Sequence, residues 1–81
     1  MLATVSITLK PGILDSQGKA LQQALESLGF RGLQRVRTGK LIVLELQHTS
    51  REQAKRDVEK MCRKLLANPV VETYHIELAG K

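Results

Sequence analysis

Residues 3–10 alternate without interruption. Ala3, Val5, Ile7 and Leu9 fall on one side of an extended chain, and Thr4, Ser6, Thr8 and Lys10 fall on the other. A strand with one apolar side needs neighbours within a sheet and a cover over that side. The remainder of an 81-residue chain has to supply both. Pro11-Gly12 ends the ladder, because proline brings no N–H and the pair favours a turn.

Asp15-Ser16 then offers side-chain oxygens to cap a helix over residues 16–28, with Ala20, Leu21, Ala24, Leu25 and Leu28 on one stripe. Gly18 weakens the first turn, whereas Gly29 stands where a left-handed C-terminal cap is favourable. Residues 33–38 read as a second strand even though Arg35 and Arg37 share the Leu33 face. A hairpin around Thr38-Gly39-Lys40 leads into the stronger run Leu41-Ile42-Val43-Leu44-Glu45-Leu46. Ser50-Arg51-Glu52-Gln53 has the form of a capping box. Ala54, Val58, Met61, Cys62, Leu65 and Leu66 follow at helical spacing. Asn68-Pro69 stops that helix, and residues 70–78 alternate again with Val70, Tyr74, Ile76 and Leu78 together.

The expected fold is α+β, one domain over residues 1–81. Its order is β-α-β-β-α-β, with a four-stranded antiparallel sheet carrying two helices on one face, as in a ferredoxin-like variant. The other face is bare and includes Leu41, Val43 and Val71. Apolar surface of that kind is usually covered by sheet-to-sheet dimerisation or edge-strand pairing, so a homo-oligomer is expected.

At this size roughly 60% of the unfolded surface is buried, which leaves one thin core and little room for a deep catalytic cleft. Thirteen Lys and Arg against eight Asp and Glu give 13 − 8 = +5, a balance that permits anionic partners without selecting one. The single cysteine, Cys62, suits a reducing cytoplasm. The first residues lack a basic, then apolar, leader pattern, and no apolar run approaches the ~20 residues of a membrane span. A soluble, unexported protein is expected.

No catalytic constellation emerges from spacing. Cys62 lies in the apolar stripe beside Met61, His48 and His75 stand alone, and Glu72 and Glu77 fall on opposite faces of one strand. Arg31, Arg35, Arg37 and Lys40 lie in a stretch, 27–44, without an acidic residue. They read either as a solvated or partner-facing surface or as phosphate contacts. Asp15-Ser16-Gln17-Gly18-Lys19 resembles a phosphate cradle only loosely, lacking the first glycine and the spacing of a GxxxxGK[ST] loop. RNA recognition on such a sheet needs stacking aromatics, and the chain has only Phe30 and Tyr74.

Three separated motifs carry a resemblance. They are Leu9-Lys10-Pro11-Gly12-Ile13-Leu14-Asp15-Ser16-Gln17-Gly18-Lys19-Ala20, Val36-Arg37-Thr38-Gly39-Lys40, and Met61-Cys62-Arg63-Lys64-Leu65-Leu66-Ala67-Asn68-Pro69-Val70-Val71-Glu72. In that order, and over nearly the whole chain, they resemble the PurS family, the small subunit of phosphoribosylformylglycinamidine synthase. The family commonly has proline where this chain has Ser16, a change that keeps a helix-start residue.

The resemblance implies a subunit without catalytic residues or cofactors of its own, in a complex that uses ATP, magnesium and glutamine for purine (IMP) biosynthesis. The complex converts formylglycinamide ribonucleotide, ATP and glutamine into formylglycinamidine ribonucleotide, ADP, phosphate and glutamate. As a dimer, the small subunit is thought to bridge the glutaminase (PurQ type) and the large synthetase (PurL type) and to help ammonia pass between them. No nucleic acid or membrane partner is implied. Asp15, Gln17, Gly18, Lys19, Arg37, Gly39, Lys40, Asn68, Pro69 and Glu72 match motif positions and are the expected partner-facing residues. A rival reading of the same element order is a small dimeric regulatory domain that binds an amino acid or similar ligand.

Overall fold

The computed structural model describes residues 1–47 and 50–80. Its elements are β1 (Leu2–Leu9), α1 (Ser16–Ser27), β2 (Gly39–Glu45), α2 (Arg51–Met61), which continues into a π turn at Cys62–Leu66, and β3 (Glu72–Ala79). The strands form one antiparallel sheet in the order β2-β1-β3, with both helices on one face. Thr4 pairs with Val43 on one side and Glu77 on the other. Thr8 pairs with Gly39 and Thr73.

β1 is the centre of the sheet for the reason its alternation indicates. Ala3, Val5 and Ile7 are buried against the helix side, while Ser6 and Thr8 stay exposed on the other. Ala54, Val58 and Cys62 of the second helix are also fully buried. Ile42, Leu44, Tyr74, Ile76 and Leu78 pack partly buried around the core they form with β1. The opposite sheet face carries exposed Leu41 and Val43. Val71 is half-buried in the turn before β3.

α1 starts where Asp15 accepts a hydrogen bond from the Gly18 N–H. It ends in a Schellman pair, Phe30 N–H to the Leu25 carbonyl and Gly29 N–H to the Glu26 carbonyl, with Gly29 at φ 98°. Its apolar stripe keeps much of its exposure, with Leu21 at 44% and Leu28 at 74%. α2 is capped by Ser50, whose hydroxyl accepts from the Gln53 N–H at 3.2 Å. The return arm of the capping box is not made. The Gln53 amide instead donates to Asp57 and accepts from Arg56, neighbours along its own helix.

Four expectations are corrected. Among the described residues the sheet has three strands rather than four, because residues 33–38 join no ladder. Thr38 N–H, a donor that a ladder would need, is taken by the Asp15 carboxylate, and the Arg37 side chain is spent on loop carbonyls. No hairpin forms at Thr38-Gly39-Lys40, since Gly39 already pairs with Thr8. The order is therefore β-α-β-α-β. Leu65 is 83% exposed, because the π turn advances each residue by less than the ~100° of an α-helix and carries it off the stripe. Val70 is 76% exposed at a turn instead of facing inward on β3.

Candidate functional site

The C-terminal end of β1 and the N-terminal ends of β2 and β3 meet at one end of the sheet. Every motif residue singled out by sequence lies at or beside that end, because each motif spans a junction between a strand and its neighbouring loop or helix.

Asp15 organises it. The residue is only 6% exposed, and its carboxylate accepts from Gly18 N–H at 2.8 Å, Thr38 N–H at 2.6 Å and the Thr38 hydroxyl at 2.9 and 3.0 Å. The Thr38 N–H does most to hold this carboxyl below its ordinary range. The Gly18 N–H, the Thr38 hydroxyl and the nearby Arg37 charge act in the same direction, against an opposing effect of burial. The carboxylate thus joins the start of α1 to the segment entering β2, which lie more than twenty residues apart in sequence.

Gly18 is the counterpart of that latch. It is buried, and a Cβ there would collide with the Val36 carbonyl oxygen. Gly39 is constrained in the same way against the Ile7 carbonyl oxygen. Arg37 completes the brace, donating from Nη1 to the Ile13 carbonyl at 3.2 Å and from Nη2 to the Leu9 and Lys10 carbonyls, both at 3.1 Å. These carbonyls run from the last residue of β1 into the turn before α1, and a guanidinium satisfies all three at once.

The remaining positions form the outer surface. Asp15, Gln17, Gly39, Lys40 and Glu72 line a cleft of about 250 Å³ together with Thr38. Lys40 Nζ lies 3.7 Å from Glu72 Oε2, with the lysine exposed and the glutamate side chain mostly covered. The other Glu72 oxygen accepts the Asn68 N–H at 2.7 Å. Asn68 returns the contact through its carbonyl, which accepts from Glu72 N–H at 2.8 Å and from Val71 N–H at 3.2 Å, and its Oδ1 accepts from Val70 N–H at 3.0 Å. Pro69 sits exposed at the second position of this turn, where its fixed φ fits. Lys19 lines a neighbouring open groove of about 580 Å³ with Arg35, Gln22 and Gln23.

The residues singled out by sequence therefore gather at one end of the molecule, some turned inward and some outward. Asp15, Gly18 and Arg37 are turned into the framework. Gln17, Lys19, Lys40, Asn68 and Pro69 are exposed. Thr38, absent from the expected contact set, is the residue that closes the latch. Its signal was its place in the motif between Arg37 and Gly39.

Cys62 is fully buried, and its thiol is pushed up by burial first and by the Glu59 charge second. His75 lies 3.7 Å from Glu77 on the exposed face, and His48 lies outside the described residues. Tyr74 points to the helix side and Phe30 lies beyond α1, so among the described residues the bare sheet face carries no aromatic. No cluster of three His, Cys, Asp or Glu that could hold a metal ion occurs among the described residues. No helix described is long and apolar enough to cross a membrane.

Fold and site together define a small α+β module that presents a polar end braced from within, a construction suited to contact with other macromolecules. Residues 2–80 match the family model PurS, phosphoribosylformylglycinamidine (FGAM) synthase. The PurS subunit of Methanocaldococcus jannaschii is 45% identical over 76 residues, which cover 94% of this chain and 92% of that protein. Its crystal structure, described as one of the subunits of formylglycinamide ribonucleotide amidotransferase in the purine biosynthetic pathway, superposes with a TM-score of 0.85 over the same shares. A chain of the PurLQS structure from Thermotoga maritima is 30% identical with a TM-score of 0.82, covering 95% of this chain and 96% of that one. The chain belongs to the PurS family of phosphoribosylformylglycinamidine synthase.

Proposed function

We propose that this chain is the small subunit of a cytoplasmic phosphoribosylformylglycinamidine synthase, acting as a homodimer that bridges the glutaminase and the ATP-dependent synthetase and assists ammonia transfer between them. The observation that carries this reading is family membership across residues 2–80, joined to the likeness to a chain of a PurLQS structure. On this reading ATP, magnesium and glutamine are handled by the larger subunits, and this chain contributes geometry. Two active sites held at a fixed separation raise the effective concentration of the transferred molecule, and a closed passage keeps ammonia neutral and out of bulk water.

The shape of the single chain supports a dimer. Its radius of gyration is 16.0 Å, against roughly 12 Å for a compact domain of this length. Leu14, Leu21, Leu28 and Phe30, on and around α1, remain exposed, as do Leu41 and Val43 on the sheet. The exposed motif residues Gln17, Lys19, Lys40, Asn68 and Pro69 meet the larger subunits, and Asp15, Gly18, Arg37, Gly39 and Glu72 hold them in place.

The test is synthesis of formylglycinamidine ribonucleotide by the two larger subunits with and without this chain, using glutamine or free ammonia as nitrogen source. The expected outcome is a requirement for the chain with glutamine and none with ammonia. Equal rates with and without it under glutamine refute the coupling role and favour a screen for a small-molecule ligand.

A further inference from the structure

Within one chain the first helix is held by polar contacts rather than by its apolar stripe. A helix on a sheet is ordinarily oriented by the apolar face it buries. Gly18 alone is buried along α1, however, and Leu21 and Leu28 stay exposed. What ties the start of this helix to the sheet is the Asp15 carboxylate, which accepts from Gly18 N–H on the helix and from Thr38 on the segment entering β2. The start of β2 is fixed independently, since Gly39 pairs with Thr8 and lies close against the Ile7 carbonyl oxygen. Thr38 therefore belongs to the rigid side of the latch, and the placement of α1 depends on it.

Thr38 meets Asp15 in two ways. Its N–H donates to Oδ2 at 2.6 Å, and its hydroxyl lies 2.9 Å from Oδ1 and 3.0 Å from Oδ2, against both oxygens at once. A hydroxyl that donates to an ionised carboxylate makes one of the stronger hydrogen bonds a side chain can offer. Removing it leaves the carboxylate two backbone donors, Gly18 N–H and Thr38 N–H, so the charge keeps partners and α1 keeps its cap. The hydroxyl thus adds restraint to a helix start that forms without it. Gln17 stands two residues after Asp15 and Lys40 two residues after Thr38, and all four line the same cleft of about 250 Å³. A surface that holds two partners in register has to present its contact residues at a set separation, and a misplacement of about 1 Å is enough to cost about a hundredfold in a coupled reaction.

We propose that Thr38 is a positioning residue for the glutamine-dependent reaction. Its hydroxyl, acting through Asp15, fixes the start of α1 against β2 and with it the separation of Gln17 and Lys40 across the cleft. This rests on the bridging reading above and deepens it by naming the side chain that sets the geometry of the bridge.

The test reconstitutes the complex from the synthetase and glutaminase subunits with a saturating amount of this chain, and counts formylglycinamidine ribonucleotide formed per glutamine hydrolysed. The rate with free ammonia is measured alongside. Thr38→Val, which keeps the branched shape and the N–H, is expected to lower that yield by about tenfold, with circular dichroism, association and the ammonia-dependent rate unchanged. Thr38→Ser, which keeps the hydroxyl, is expected to restore it. An unchanged yield with Thr38→Val, or an equally low one with Thr38→Ser, overturns the proposal and leaves the bridging reading in place. Loss of fold or of association in Thr38→Val overturns it too, by making the hydroxyl a requirement of stability alone. If the unmodified chain does not raise the yield, the bridging reading falls and the role of Thr38 with it.

Discussion

Gly18 stands where two opposed effects can be weighed. Alanine in the first turn of a helix is favoured over glycine by about 1 kcal/mol. At this position, however, the added methyl collides with the Val36 carbonyl, a backbone atom that yields only if the latch moves. Overpacking of that kind costs about 1–3 kcal/mol, so the steric effect prevails. Gly18→Ala is expected to lower unfolding free energy by up to about 2 kcal/mol, read from urea midpoints at fixed protein concentration. Asp15, which closes the same latch, ties stability to pH. Its folded pKa lies below the 3.8 of an unperturbed carboxyl, so its contribution is complete above that value and drains away as pH falls through the folded pKa. The melting-temperature gap between the unmodified chain and Asp15→Asn should be widest near neutral pH and close under acid. A gap that stays constant through that range would show that the carboxylate charge is not what holds Thr38. From sequence, Asp15 and Gly18 were readable as a helix start. Their bond to Thr38 was not, because no local pattern reports a contact across 23 residues.

The two ends of α2 respond differently to reading by pattern. The N-terminus was legible in full at Ser50 and in part at Gln53, since a cap depends on residues within one turn. Ser50→Ala is expected to cost about 1 kcal/mol, while Gln53→Ala, which removes only exposed contacts along the helix, should cost a few tenths. Denaturation of both variants checks the asymmetry. Equal losses would restore the reciprocal capping box. The C-terminal end was misread because a π turn leaves no mark in hydrophobic spacing, and Leu65 is apolar whichever way it points. The segment at 33–38 shows the same limit in a strand. Its alternation is compatible with a ladder, but ladder membership depends on a neighbour, and both edges of the sheet, β2 and β3, lie elsewhere.

As a whole the molecule measures 48 × 27 × 14 Å, flat and long for its chain length. The exposed stripe of α1 is part of the surface that the proposed dimer covers. Leu21→Ser with Leu28→Ser is expected to shift the chain from dimer toward monomer in sedimentation at micromolar concentration, with little change in helix content. A dimer of unchanged strength would move the contact to the sheet face around Leu41 and Val43. The periods of β1, both helices and β3, the helix caps at Asp15 and Ser50, and family membership were all readable from residue type at short spacing. The number of strands, the inward turn of Arg37, the Asp15–Thr38 latch and the outward turn of Leu65 and Val70 emerged with the folded chain alone. Each of those depends on which distant backbone groups come within hydrogen-bond reach, and local alternation and helical spacing carry no signal for that.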